Sequence, residues 1–275
     1  MDQYPTLAAM VPDVYNIQTA EGAYEKSLDV GTVPDHQEFT GKIGTVVRTE
    51  GYVKTHVFTE YAVQLQIQRK LAADDQYKVV SRFGAGLAVS ANRSREKSGA
   101  NTFVLAFTYA PTDGDAVSLC SSAHPSPVDG VADQGNTGTS AFGAGTLETT
   151  RQLMLDFYDL DGEKIPIEPD SIMIYKDNEE TAWEIINSKG KVNTPNNNLN
   201  FHEGKYRLMV WNRLSAGNWF VIDYKMMKEY LLWWNREPIQ YFQDKDSDTL
   251  IAKYLSYYRC GTGWDNFRFV YGHNT

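Results

Sequence analysis

The clearest pattern along the chain is an alternation between residues 61 and 70. Tyr61, Val63, Leu65, Ile67 and Arg69 take one parity, and Ala62, Gln64, Gln66, Gln68 and Lys70 take the other. Successive side chains of a strand point to opposite faces, so this reads as a strand with one largely apolar face and one amide and basic face. An outgoing strand over residues 38–48 and a turn at Thr49-Glu50-Gly51 complete a predicted hairpin, an extended loop over residues 31–72. A two-stranded ribbon is marginal alone in water. It has to lie on something, and in an assembly that is a neighbouring subunit. Residues 1–30 show weak periodicity with Pro5, Pro12 and Gly22, which predicts an extended N-terminal arm.

The period then changes. Val80, Phe83, Gly84, Leu87, Ala88 and Ala91 form one stripe at helical spacing. This predicts a long helix over residues 74–98. Asp74 or Asp75 would be its N-cap, Arg93, Arg95 and Lys97 suit its C-terminal end, and Gly99 would stop it. Beyond the apolar Phe103–Phe107, the chain turns loop-like through Pro111, Pro125 and Pro127, and the glycine-rich run from Gly130 to Gly145 reads as a flexible loop. Residues 146–235 read as an α/β unit. Its first helix has the apolar face Leu147, Leu153, Met154, Phe157 and Leu160. A buried strand at Ile172–Ile174 follows, then a second helix with Ala182, Trp183, Ile185 and Ile186, and strands at Tyr206–Trp211 and Trp219–Ile222. Closing strands are predicted at Ile239–Phe242, Leu250–Tyr258 and Phe267–Tyr271.

Composition narrows the function classes. The chain has 275 residues, 42% hydrophobic and 22% charged, which is ordinary for a folded protein. No apolar run approaches the length of a membrane helix. The N-terminus lacks a basic cluster before an apolar stretch, so no secretory signal is expected. Two widely separated cysteines, Cys120 and Cys260, make no disulfide framework. The net charge of −9 argues against a duplex reader that relies on counterion release. Yet residues 42–97 hold ten Lys/Arg against five Asp/Glu, a local +5 that leaves −14 for the remainder. This is either a solvated basic face or a basic projection that lies on an acidic surface of another copy. Of 35 aromatic residues, 18 lie from Phe201 onward, which requires a dense core or a large contact there.

Candidate chemistry is sparse. No phosphate loop, zinc-protease histidine pair or nucleophile elbow is present. Asp244, Asp246 and Asp248 open like a calcium loop, but Thr249 stands where the turn needs Gly and Leu255 where a closing Glu belongs. Cys120 and His124 have helical metal-ligand spacing, but Pro125 and the flanking serines place them on a loop and no second pair matches. The remaining histidines His36, His56, His202 and His273 are scattered. Catalytic residues, cofactors and metals are therefore not expected.

Several stretches carry a resemblance. Ala116-Val117-Ser118-Leu119-Cys120-Ser121-Ser122-Ala123-His124-Pro125 is similar to the segment after the spine helix of Mu-like phage head proteins. Ser171–Tyr175 with the helix around Thr181–Ile186, and the later Trp219–Asp223 and Trp264–Arg268, are similar to other parts of that family. The order of elements resembles the major capsid protein of tailed bacteriophages, the Hong Kong 97 fold, an α+β class.

The resemblance implies an arm over residues 1–30, the extended loop over 31–72, and a peripheral domain with the spine helix over 73–145. It further implies an axial domain over 146–235 and return strands over 236–275. It implies hexamers and pentamers in a closed icosahedral shell around double-stranded DNA, without sequence-specific binding. Such a shell would be assembled in the host cytoplasm and found in the virion, with separate scaffolding, portal and decoration proteins as possible partners. Tyr61, Val63, Leu65, Ile67, Arg69, Lys70, Lys42 and Lys54 would then contact a neighbour. A covalent cross-link from Lys42 or Lys54 to Asn266 is a further possibility that some members of the family suggest. The alternatives are an encapsulin-type shell around protein cargo and, from another class, a carbohydrate-active enzyme or binding module on the aromatic C-terminal third.

Overall fold

The computed structural model describes residues 9–30, 38, 41, 50–74, 79–190, 198–245 and 251–275. The elements are α1 (Met10–Val14), β1 (Asn16–Thr19), β2 (Tyr24–Val30), β3 (Glu50–Val57), β4 (Thr59–Gln68), α2 (Arg69–Ala73), α3 (Val79–Val104), β5 (Thr137–Gly138) and α4 (Ala144–Leu155). They continue with β6 (Ser171–Ile174), α5 (Glu179–Asn187), β7 (Arg207–Val210), β8 (Trp219–Ile222), α6 (Tyr224–Tyr230), β9 (Leu231–Lys245), β10 (Ile251–Trp264) and β11 (Val270–His273). The chain forms two compact units. The first comprises Met1–Glu25, His56–Gly99 and Leu232–Gly263, and the second Lys26–Thr55, Ala100–Leu231 and Trp264–Thr275. The chain passes between the units several times, so each unit is assembled from segments distant in sequence.

The first unit holds a four-stranded sheet in the order β1-β9-β10-β4. The alternation that predicts β4 is realised over residues 59–68, antiparallel to β10, with Tyr61 opposite Tyr258 and Ile67 opposite Ala252. The strand stops at Gln68, and Arg69 and Lys70 open the short α2. Asp74 is the C-cap of α2, its N–H bonded to the Lys70 carbonyl, and not the N-cap of the long helix. Asp75, and the side chains of Val80, Phe83 and Gly84, lie outside the described residues, whereas Leu87 and Ala91 of the stripe are buried.

The arm expectation fails from Met10 onward. Val11, Val14 and Tyr15 are buried, β1 pairs in parallel with β9, and the Tyr15 ring meets Trp233 edge-on at 5.8 Å. One helical turn followed by four strand residues is too short for either periodicity to register. The predicted stop at Gly99 also fails, because α3 runs on to Val104 over 26 residues, about 39 Å. Gly99 is buried, and its carbonyl accepts a 2.7 Å hydrogen bond from the Tyr15 hydroxyl.

The second unit is built on a five-stranded sheet in the order β5-β11-β8-β6-β7. Strands β6 and β8 are buried at every position, as expected of central strands covered on both faces. Trp219 and Val221 of β8 join Leu147 and Met154 of α4 and Ile185 and Ile186 of α5 in one core. Phe220 has the opposite parity and meets Phe103 at 5.3 Å and Phe107 at 5.7 Å. This second layer buries Phe103 at the end of α3, while residues 105–108 leave the helix as a turn.

Smaller differences follow the same logic. Helix α4 ends at Leu155, and Phe157 and Leu160 are buried beyond it. Trp183 is 61% exposed and takes no part in the α5 core. The last strand is Val270–His273.

The predicted turn at Thr49-Glu50-Gly51 is not there: Glu50 and Gly51 begin β3, which pairs with β2. Gly51 serves close approach, since a Cβ would lie 2.8 Å from Leu160 Cδ1 and 2.9 Å from the Asp29 carbonyl. The outgoing hairpin strand over residues 38–48 lies almost wholly outside the described residues.

Candidate functional site

The most constrained polar site lies in the second unit, where β3 meets the segment from Asp113 to Asn136. Thr55 N–H donates to Asp113 Oδ2, and Gly114 N–H donates to the Val53 carbonyl at 3.1 Å, which laces the segment to the strand. Gly114 has φ +71°, and its missing Cβ leaves the space filled by the Lys54 methylenes. Lys54 Nζ therefore reaches within 3.5 Å of Asp115 Oδ1 and lies 5.3 Å from the centre of the Trp264 ring. Asp115 Oδ2 stands 2.6 Å from His124 Nδ1, and His124 Nε2 stands 3.0 Å from Asn136 Oδ1.

Asn136 is fully buried and fixes the far end. Its Nδ2 donates to the carbonyls of Leu119 and Val270, at 2.8 and 3.1 Å, and its Oδ1 also accepts from Ser121 N–H. The His124 ring lies flat on Phe267, 3.6 Å between centroids and 5° between planes. Burial pushes the Asp115 carboxyl up, but the His124 hydrogen bond and the charges of Lys54 and His124 outweigh it and hold the group below its ordinary value. Asp115 Oδ1 has no hydrogen bond and borders a recess of about 30 Å³, also lined by Tyr52, Lys54, His124 and Arg268.

These groups fasten chain segments to one another and hold no substrate-sized cleft. The glycine-rich run expected to be flexible is instead pinned through Gln134, Asn136 and the strand β5. The metal-spaced pair is accounted for otherwise, since His124 is engaged on both nitrogens and Cys120 is buried against Gly272, its thiol pushed up by burial. Among the described residues no cluster of His, Cys, Asp and Glu is arranged to hold a metal. Asp244 is the next-to-last residue of β9, while Asp246 and Asp248 lie outside the described residues.

The residues predicted for subunit contact are distributed unevenly. Tyr61 stacks on Tyr258 at 5.0 Å, with its hydroxyl 3.4 Å from Ser98 Oγ. Ile67 is 2% exposed within the single chain, Leu65 is half-buried and Val63 is 43% exposed. Arg69 and Lys70 are exposed. Lys54 is buried in the ion pair described above, and Lys42 lies outside the described residues. Asn266 Oδ1 accepts from Arg268 N–H at 2.9 Å and from its Nη1 at 3.3 Å. Sequence reasoning missed Asp115 and Asn136 altogether. The one available signal was His124 itself, in a serine-rich loop just before a proline.

The polar groups of this site tie segments of one chain together. The phage capsid protein family matches residues 52–272, and the chain belongs to that family. It is a structural component of the virion shell and not an enzyme. No curated protein matches the chain.

Among solved structures, the capsid of the cyanophage P-SCSP1u is similar with a TM-score of 0.64 at 11% identity, covering 97% of this chain and 88% of that one. The mature capsid of bacteriophage PhiM1 gives 0.64 at 11% identity, covering 95% and 85%. The capsid of an empty GTA particle gives 0.60 at 12% identity, covering 96% and 89%. At such identities these likenesses show the fold.

Proposed function

We propose that this chain is the major head subunit of a tailed phage, with a Hong Kong 97-type fold closest to the Mu-like branch. In this reading it assembles into hexamers and pentamers of an icosahedral shell around double-stranded DNA. The observation that carries the reading is the near full-length match of the fold to capsid subunits, together with family membership over residues 52–272. The second compact unit would be the axial part and the first the peripheral part. Val63, Leu65, Arg69 and Lys70 would meet the neighbouring copy, because they remain accessible or half-buried on a strand and helix that leave apolar and basic surface uncovered. A net acidic subunit suits a container for DNA, since its wall does not bind the polyanion.

The test is light scattering and negative-stain microscopy of the purified protein, with nucleic acid quantified after DNase treatment of the intact particles. Closed particles of tens of nanometres with protected DNA are expected. Closed particles filled with protein would favour the encapsulin-type alternative, and a stable monomer would overturn both shell readings.

A further inference from the structure

One buried acceptor of the second unit lacks a donor. A carboxylate accepts on both of its oxygens. Asp115 Oδ2 faces His124 Nδ1 at 2.6 Å. Asp115 Oδ1 has no hydrogen-bond partner among the described residues, although the side chain is only 7% exposed. The group is held below its ordinary value, so at neutral pH it is ionised and Oδ1 can only accept. A buried acceptor without a donor is costly, and native interiors rarely leave one.

Lys54 comes close without supplying that donor. Its Nζ stands 3.5 Å from Oδ1, beyond the ~2.7–2.9 Å of a charge-assisted hydrogen bond. The lysine stem is seated where Gly114 lacks a Cβ, and the ammonium lies over the Trp264 ring, so the gap is set by packing on both sides. Asp115 and Lys54 border a recess of about 30 Å³, more than the ~10–15 Å³ that a water molecule needs. Other polar groups along its wall are committed elsewhere. The Gln134 amide donates to the Tyr158 carbonyl and accepts from Tyr158 N–H, and Arg268 donates from Nε to the Tyr158 carbonyl and from Nη1 to Asn266 Oδ1.

We propose that this recess is a binding site for one water molecule, which donates to Asp115 Oδ1, accepts from Lys54 Nζ, and so joins strand β3 to the 113–136 segment. The surroundings set the chemistry of the occupant. It has to donate, because Oδ1 only accepts. A metal or alkali cation at hydrogen-bond distance from Oδ1 would stand beside the Lys54 ammonium, with the Arg268 guanidinium on the same wall. An anion would stand against Asp115 and Asp29. A neutral species that donates and accepts at once satisfies both partners, and at this volume that species is water. Its second proton is left for Asp29 or Tyr52, which line the same recess.

The test is a crystal structure at a resolution that shows ordered water, for the wild type, for wild-type crystals soaked in thallium(I), and for Asp115→Leu. The wild type is expected to show a single density peak about 2.7–3.1 Å from both Oδ1 and Lys54 Nζ, unchanged by thallium. Asp115→Leu should show no peak there, since the acceptor is gone and its methyl groups take the space. An anomalous thallium peak in the recess would make it a cation site and overturn the proposal. So would a wild-type recess without density, or one closed by Lys54 Nζ moving onto Oδ1, and neither result depends on the variant folding. A peak that persists in Asp115→Leu would equally overturn it, because Oδ1 would not be what holds the water.

Discussion

Asn136 is one side chain with four hydrogen bonds and no exposed surface. Replacing it with Ala leaves the Leu119 and Val270 carbonyls, Ser121 N–H and one nitrogen of His124 without their partner. Each buried polar group left unsatisfied costs about 1–3 kcal/mol, so Asn136→Ala is expected to lower stability by at least about 3 kcal/mol in urea unfolding. Asn136→Asp keeps an acceptor for His124 but loses both donors, and it should destabilise as well. A loss under about 1 kcal/mol for Asn136→Ala would mean that water replaces the amide and that the network does not specify the segment. Nothing local marks this position, since an asparagine following Gly135 in a glycine-rich run reads as a turn. Its burial depends on Leu119 and Val270, distant by 17 and 134 residues.

At the scale of elements, the C-terminal end of α3 and strand β8 form the second layer of the larger unit. Phe103 is fully buried against Phe220 and Trp211. Phe103→Ala should cost about 3–5 kcal/mol, the range for truncating a core aromatic. Val89→Ala, at an exposed position of the same helix, should stay within about 0.5 kcal/mol. Chemical denaturation of the dissociated subunit measures both, and equal effects would show that this end of α3 is not anchored in the core.

Elements with a long, unbroken period were legible: β4 by its alternation, and β6 and β8 by continuous apolar runs. Glycine misled twice. Gly51 and Gly99 look like a turn and a stop, but at Gly51 another part of the chain comes too near for a Cβ, and Gly99 lies buried inside a continuing helix. A glycine kept for space and a glycine kept for its backbone angles are the same letter.

For the whole molecule, the uneven charge bears on assembly. Arg69 and Lys70 are exposed on α2 and belong to the basic stretch of an otherwise acidic chain. If they lie on an acidic neighbour, Arg69→Glu with Lys70→Glu should leave the unfolding midpoint of the dissociated subunit unchanged and prevent closed particles. Sedimentation and microscopy would show capsomers or free subunits instead. Normal shells from the double variant would remove these two residues from the contact and leave the apolar Val63 and Leu65 to account for it.

The sequence by itself determined the class of the chain: a folded α+β protein without recognisable chemistry, a strand whose apolar face asks for a partner, and an order of segments resembling a capsid subunit. These follow from local periodicity and composition, which neighbouring residues encode. Only the tertiary structure decided that the arm from Met10 onward is packed, that Ile67 and Lys54 are buried by their own chain, and that Asp115, His124 and Asn136 meet. Those outcomes depend on which distant segments come together to exclude water, and no local window of sequence carries that information.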